Sequence, residues 1–357
     1  MSRSLLILGA TGSIGTTALN AVREGKLNVF LTGLVGGHDA ASLSRLGQEF
    51  GCPCTLNSSS EVLKAFLEAN RADIALNAIA GAAGLEASLL CLQAGMDLAL
   101  ANKESIVMGG DFLFSEAERL GRRIIPVDSE HSAIYHLIQG HSEVDSLVIT
   151  ASGGPFLHRE DLSSVTADEA AAHPTWKMGR KISIDSSTLA NKGLEVIEAG
   201  FLFNMPAERI EVTIHRQSIV HSMIRMRDGS VYAQLSPPDM TLPIVAAVAD
   251  GRQALVDVVR PLSFKGLTLT FEDWDRERFP LLQLAYEVLG KKAGYPIAYN
   301  AADEVAVQAF VDGKIGYLDI ARVVGSTLDA DWSAVADSYE AIMEVDKAAR
   351  RLASSLL

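Results

Sequence analysis

Three cysteines in 357 residues are too few for a disulfide framework, and their placement narrows the reading further. Cys52 and Cys54 flank one proline, too close for ordinary disulfide geometry, and Cys91 is left odd. All three read as reduced thiols of a cytoplasmic protein, and with no His pair beside them in sequence they make a poor zinc site. Positive charge is also short: 31 Lys and Arg against 44 Asp and Glu leave a formal net charge of −13. That excess excludes nonspecific attraction to nucleic acid or an anionic membrane, while leaving room for a local basic pocket that holds a phosphate. No apolar run is long enough to span a bilayer. The run Leu5–Leu8 is too short for a signal peptide and leads directly into a glycine loop, so no cleaved leader is expected. Internal repeats and low-complexity tracts are absent.

What is present has the balance of a globular protein, 48% hydrophobic and 21% charged, in a chain long enough for two or three domains. Leu5-Leu6-Ile7-Leu8 reads as a buried strand, Gly9 to Gly15 as a glycine turn, and Ala18, Leu19 and Val22 keep helical spacing. Strand, glycine turn and helix in that order suit a dinucleotide, because the backbone can approach a pyrophosphate and the helix start offers N–H groups. The spacing is G-x-x-G-x-x-G, looser than the usual fingerprint, so the turn alone is only moderately specific. Further strands at 29–35, 74–79 and 98–100 alternate with helical patterns, which predicts a doubly wound parallel sheet. From Leu147 the pattern becomes α+β, and from about Glu272 it is mostly helical. The reading is therefore 1–127 as a Rossmann-like nucleotide domain, 128–249 as a catalytic and dimerisation α+β domain, 250–271 as a connection and 272–357 as a helical domain.

The most informative stretch is 173–195, HPTWKMGRKISIDSSTLANKGLE. His173, Pro174, Trp176 and Gly179 read as a loop with room to move. Ser186, Asn191 and Lys192 then offer hydroxyl, amide and ammonium donors just before a helical pattern, a suitable set for a phosphate, with Glu195 beside them. A carboxylate next to a phosphate site implies a bridging cation or a hydroxyl-bearing substrate. Upstream, Asp128 and Glu130 stand i, i+2 and project to one side if the chain there is extended, a geometry that can share a metal ion.

Several runs together resemble the 1-deoxy-D-xylulose 5-phosphate reductoisomerase family: GATGSIG at 9, AGAAGL at 80, ANKES at 101, PVDSEHSAI at 126, ASGGPF at 151, the stretch at 173, and later QSIVHSM, DGSVYAQL, PPDM and YNAADEVAVQAF. Their number and order span nearly the whole chain. The resemblance implies a metal- and NADPH-dependent homodimer, acting on a small phosphorylated ketose, with Asp128, Glu130 and Glu195 holding one Mg²⁺ or Mn²⁺. Nucleotide contacts would come from Thr11, Gly12, Ser13 and Ile14, from Gly37, His38 and Asp39, and from Asn102, Lys103, Glu104 and Gly179. Substrate contacts would come from Ser129, Glu130, Ser152, His173, Trp176, Met178, Ser186, Asn191, Lys192 and Glu195. Trp176 and Met178 would form a lid that excludes water. Among these, Lys103, Glu130, His173 and Glu195 would carry the chemistry, with Lys103 and Glu198 assigned to substrate hydroxyls or proton movement. The implied reaction breaks and re-forms a carbon–carbon bond beside a metal-polarised carbonyl, then reduces the branched aldehyde by hydride transfer.

Two other readings compete with this one. A Rossmann oxidoreductase acting on a phosphorylated sugar or semialdehyde without rearrangement would not need the three carboxylates. A nucleotide-sensing regulator would leave the anion-binding donors and the Trp loop unexplained. Small departures from the family pattern occur at Ala10, Thr175, Lys177, Arg216 and Asp303. The larger one is Gly37-His38-Asp39, where family members commonly carry Gly-Lys-Asn and the lysine pairs with the 2′-phosphate of NADPH. An aspartate there suits a free ribose hydroxyl instead. The expected outcome is relaxed use of NADH beside NADPH; initial rates with each cofactor check it, and a strong preference for NADPH would count against it.

Overall fold

The structure is a computed structural model and describes residues 2–176 and 178–357. The N-terminal half alternates strands and helices: β1 (Arg3–Leu8), α1 (Ser13–Arg23), β2 (Val29–Gly36), α2 (Ala40–Phe50), β3 (Cys54–Leu56), α3 (Ser60–Ala69), β4 (Ile74–Asn77), α4 (Ala83–Gln93), β5 (Asp97–Leu100), α5 (Lys103–Arg119), β6 (Ile124–Pro126) and α6 (Ser129–Gln139). There follow β7 (Val144–Ala151), α7 (Ala167–Ala171), α8 (Arg180–Thr188), α9 (Ala190–Leu202), β8 (Ile210–Ile214), β9 (Val220–Met226), β10 (Val231–Leu235) and α10 (Thr241–Ala249). The chain ends in α11 (Pro280–Lys291), α12 (Tyr295–Val311), α13 (Asp319–Leu328) and α14 (Tyr339–Ser355). It packs as two compact units, the first made of the chain up to Ser105 with Leu113–Tyr135 and Asp239–Leu262, the second of the remainder.

In the first unit six parallel strands run in the order β3-β2-β1-β4-β5-β6, the doubly wound arrangement that the alternating pattern predicted. Strands buried on both faces need continuous apolar sequence, and β4 and β5 are buried at every position. The order reverses between β1 and β4, and the glycine turn follows β1 at that point. Gly15 is there for proximity: a Cβ on it would stand 2.3 Å from the Gly9 carbonyl oxygen, so only glycine lets α1 start this close to the turn. Helix α10 supplies Ile244, Val245, Ala247 and Val248 to the same core as Leu5, Ile7 and Leu19.

The second unit holds a mixed sheet in the order β10-β9-β7-β8, with β7 parallel to β8 and antiparallel to β9. Helix α9 packs against α11, and the approach is set by Gly193 and Gly200, two turns apart on one face. Added Cβ atoms would stand 2.9 Å from Ala285 and 2.4 Å from Leu289, both on α11. Residues 252–271 carry no regular element.

Two local expectations change. The polar stretch before Glu195 is helical from Arg180 onward, broken only where Leu189 takes a left-handed conformation between α8 and α9. Its serines and threonines read as loop because they bond to backbone and disfavour helix interiors. Here those hydroxyls bond back to helix carbonyls, Ser186 to Ile182 at 2.8 Å and Ser187 to Ile184 at 2.6 Å, so they can be buried. Asp128 and Glu130 likewise do not lie on extended chain. Helix α6 begins at Ser129, and the Glu130 N–H donates to Asp128 Oδ1 at 3.2 Å, so a helix start holds the pair together.

Candidate active site

The nucleotide end is built from helix starts. Gly12 is the N-cap of α1 with an extended backbone and no side chain capping it, so the N–H groups around Ser13 and Ile14 face outward beside Thr11, where a pyrophosphate can take them. At the end of β2, Gly37 and His38 are exposed, and Asp39 is the N-cap of α2, accepting from the Ser42 N–H at 2.9 Å. Hydrogen bonds from Ser42 hold the Asp39 carboxyl below its usual range, so it stays ionised. Arg45, one turn on, donates to the Ser42 hydroxyl at 2.9 Å. At the end of β5, Asn102 caps α5 by accepting from the Ser105 N–H at 2.9 Å, while its amide donates to Gly81 O at 3.0 Å and to Glu104 Oε2 at 2.7 Å. The start of α5 is thereby fixed, and with it buried Lys103.

Lys103 Nζ donates to Asp128 Oδ2 at 2.9 Å. The other Asp128 oxygen faces the Glu130 N–H and lies 3.3 Å from buried His131 Nδ1. Ser129 Oγ donates to Glu130 Oε2 at 2.8 Å. Glu195 is 1% exposed and its carboxylate is held within its own helix: Asn191 Nδ2 donates to one oxygen at 2.6 Å and Lys192 Nζ pairs with the other. Asp128, Glu130 and Glu195 each present a carboxylate oxygen, and those three atoms lie within 4.8 Å of one another. Oxygen donors without His or Cys, at that spacing, fit a hard divalent cation.

The sequence-predicted phosphate donors fall on three elements. Ser152 follows β7, Ser186 sits in the last turn of α8, and Asn191 and Lys192 open α9. Of these the structure joins Ser152 to His173, Oγ to Nε2, at 2.9 Å, and ties Asn191 and Lys192 to Glu195. His173 Nδ1 accepts the N–H groups of Thr175 and Trp176 at 3.1 and 2.9 Å. With Nδ1 spent as acceptor, the neutral ring carries its proton on Nε2 and donates from there. Burial also pushes the His173 pKa down to about 4. Trp176 and Met178 are half-buried, Gly179 caps α8, and Lys177 lies outside the described residues.

Two residues received no role from sequence. His221 is buried, its ring centroid 6.3 Å from that of Trp176, and its Nε2 meets Ser236 Oγ at 2.9 Å. Ser222 beside it is fully buried. Both stand in the run QSIVHSM, whose polar residues in an apolar strand were the available signal. Glu198 lies buried one turn after Glu195 on α9.

A parallel sheet with its helix starts at the switch point, carried on one chain with a cation-type carboxylate cluster, defines an α/β oxidoreductase that works with a nucleotide and a hard metal ion. Comparison with known proteins makes that class specific. Residues 5–55 and 37–110 match the description "1-deoxy-D-xylulose 5-phosphate reductoisomerase", residues 124–203 its C-terminal domain, and residues 235–352 the "DXP reductoisomerase C-terminal domain". The chain is 43% identical to the 1-deoxy-D-xylulose 5-phosphate reductoisomerase of Treponema denticola, over 98% of this chain and 96% of that one. It is 42% identical to the one from Chlorobium chlorochromatii, over 99% and 100%. Among solved structures, the Zymomonas mobilis enzyme in complex with NADPH aligns with a TM-score of 0.90 at 35% identity, covering 100% of this chain and 99% of that one. A DOX-P reductoisomerase in complex with NADPH, fosmidomycin and magnesium aligns at 0.87 and 34% identity, covering 99% and 98%. The chain belongs to the 1-deoxy-D-xylulose 5-phosphate reductoisomerase family.

The depressed His173 pKa has a stability consequence. Above pH 6.5 the ring is neutral in both folded and unfolded chains. As pH falls from 6.5 toward about 4 the unfolded chain takes up a proton that the folded one refuses, and stability declines. Urea unfolding across that window should show a shallower decline in His173→Gln than in the parent; identical slopes would remove His173 as a cause.

Proposed function

We infer that the chain converts 1-deoxy-D-xylulose 5-phosphate to 2-C-methyl-D-erythritol 4-phosphate with NADPH, a rearrangement coupled to a reduction in isoprenoid-precursor synthesis. The observation that carries this reading is the carboxylate cluster, because a simple dehydrogenase has no use for it. Asp128, Glu130 and Glu195 would hold Mg²⁺, the ion found in the relative solved with NADPH, fosmidomycin and magnesium, or Mn²⁺, which offers the same hard, oxygen-seeking chemistry. When bound, the cation supplies Lewis acidity at the substrate's carbonyl and hydroxyl oxygens, and the nicotinamide supplies a hydride.

The chain's own residues do the rest. Ser152, Ser186, Asn191 and Lys192 hold the substrate phosphate, and neutral His173 donates to it from Nε2. Trp176 and Met178 exclude water. Ser129 keeps Glu130 oriented through their 2.8 Å hydrogen bond. Lys103 pairs with Asp128 at 2.9 Å and, with Glu198, serves the substrate hydroxyls. Thr11, Gly12, Ser13 and Ile14 take the pyrophosphate, and Asn102, Lys103, Glu104 and Gly179 give further nucleotide contacts. At Gly37-His38-Asp39 the carboxylate is committed to capping α2, which supports accommodation of NADH. By function, 1–127 binds nucleotide, 128–249 handles substrate and metal, 250–271 connects, and 272–357 buttresses α9 through α11.

A cytoplasmic setting suits three free cysteines, and among the described residues no helix is long and apolar enough to cross a membrane. Strand β10 is an edge of its sheet with Val231 49% and Tyr232 43% exposed, and it supports a homodimer by pairing with a second copy.

Two experiments test these statements. Purified protein with 1-deoxy-D-xylulose 5-phosphate, NADPH and Mg²⁺ or Mn²⁺ should oxidise the nucleotide and yield methylerythritol phosphate only when metal is present. Glu195→Gln should lower kcat/KM by on the order of 10²–10³, and Lys103→Ala should also lose turnover. Oxidation without metal, or without the branched product, would transfer the assignment to a non-rearranging dehydrogenase. Light scattering after size exclusion should give twice the chain mass, falling to one chain in Tyr232→Asp; a parent that elutes as a monomer contradicts the dimer.

A further inference from the structure

Helix α8 opens against its own electrostatics. Its first two residues, Arg180 and Lys181, are basic, and no acidic residue stands in its first turn. Cations there oppose the partial positive charge of a helix N-terminus, and a Lys four residues before an Asp is the weaker order for a pair within a helix. Ser183, Ser186, Ser187 and Thr188 lower its helix propensity further. Arg180 meets Asp168 at 2.8 Å, but that pair is exposed and contributes little. Local sequence therefore gives no strong reason for a helix to start at Arg180. Yet this start fixes the end of the loop that bears His173 and Trp176, because Gly179 is its N-cap.

The reason lies in α12. Lys181 Nζ donates to Asp185 Oδ2 at 2.6 Å and to Asp303 Oδ2 at 2.7 Å, so one ammonium joins a carboxylate of its own helix to one on α12. Asp303 is fully buried, Asp185 nearly so, and Lys181 half-buried. A carboxylate taken this far from water is costly unless it is paired. Among the described residues Lys181 is the one side chain that pairs with Asp303, whose other oxygen is buried without a hydrogen-bond partner. A second tie holds the far end of α8. Tyr317, buried ahead of α13, donates from its hydroxyl to Ser187 O at 2.7 Å, and its ring packs edge-on against Phe156 and Phe310. Ser186 lies between the two ties. Asp303 is among the positions that depart from the family pattern, and neither it nor Tyr317 has a part in the metal, nucleotide or substrate contacts described above.

We propose that Asp303 and Tyr317 are positioning residues for the substrate phosphate. Through Lys181 and Ser187 they pin the two ends of α8, which fixes Ser186 and the Gly179 end of the loop bearing His173 and Trp176. That role rests on the phosphate contacts assigned above to Ser186 and His173.

The full-length protein, with NADPH and Mg²⁺, is compared with Asp303→Ala, Lys181→Met, the double variant of these two, Lys181→Arg, and Tyr317→Phe, which removes one oxygen and keeps the ring. Hydrogen–deuterium exchange of the backbone amides of 180–188 should run faster in Asp303→Ala, Lys181→Met and Tyr317→Phe, at a temperature well below each Tm. KM for 1-deoxy-D-xylulose 5-phosphate should rise about tenfold in Asp303→Ala and about threefold in Tyr317→Phe, with kcat reduced less. The double variant should be no worse than Lys181→Met alone, and Lys181→Arg, which keeps the charge, should recover most of the affinity. A pair with a merely structural role would lower Tm and the yield of folded enzyme while leaving KM and native exchange of α8 unchanged. That result in Asp303→Ala and Tyr317→Phe would overturn the positioning role, and in Tyr317→Phe alone if Asp303→Ala does not fold. Effects that multiply in the double variant would remove Lys181 as the link. A parent without turnover would instead remove the functional reading, and phosphate positioning with it, whatever the exchange rates.

Discussion

Holding three carboxylate oxygens within 4.8 Å of one another is the constraint on which the rest of the site depends. Like charges at that spacing repel by several kcal/mol at about ε 20, and burial of Glu195 makes the cost greater. Two lysines offset it in the protein alone. Lys103 bonds Asp128, and Lys192 bonds Glu195, so each outer member of the cluster carries its own counter-charge. The start of α6 adds the partial positive charge of a helix N-terminus to Glu130 in its first turn. A divalent cation therefore meets oxygens that are already positioned.

That requirement explains local choices elsewhere. Lys103 can reach Asp128 only because Asn102 caps α5 and ties its first turn to Gly81 and Glu104. Lys192, Asn191 and Glu195 share one helical turn because α9 begins immediately after the Leu189 kink, and α9 lies flush on α11 because Gly193 and Gly200 carry no side chain. His173 is set differently, by backbone. Two N–H groups directed at Nδ1 fix the tautomer, and burial keeps the ring neutral, so it serves as a donor rather than a cation.

The doubly wound parallel sheet was legible because most of its strands are short apolar runs separated by helical periods, and glycines mark the turn after β1, whereas the edge strand β3, Cys54–Leu56, carried no such signal. The carboxylates were legible as residue types, since Asp128 and Glu130 stand in one short run and Glu195 in a polar segment beside phosphate-type donors. Their arrangement was not. The serine-rich stretch before Glu195 reads as loop by propensity, yet folds as α8 because burial and hydroxyl-to-carbonyl bonds outweigh the propensity cost. His221 and Ser222 carried no signal beyond being polar in an apolar strand, and the proximity of His221 to Trp176 comes from the folding of β9, not from any sequence spacing.

By itself the sequence determined the alternation that makes a doubly wound sheet, the stock of oxygen donors suited to a hard cation, and the motif order that marks the family. Only the tertiary structure decided which of those donors meet. It paired Lys103 with Asp128 and Lys192 with Glu195, spent Asp39 on a helix cap, and fixed the tautomer of His173. The physical reason is range. Periodicity and turn chemistry act over a few residues and can be read along the chain, whereas charge pairing and desolvation act between residues that only packing brings within a few ångströms.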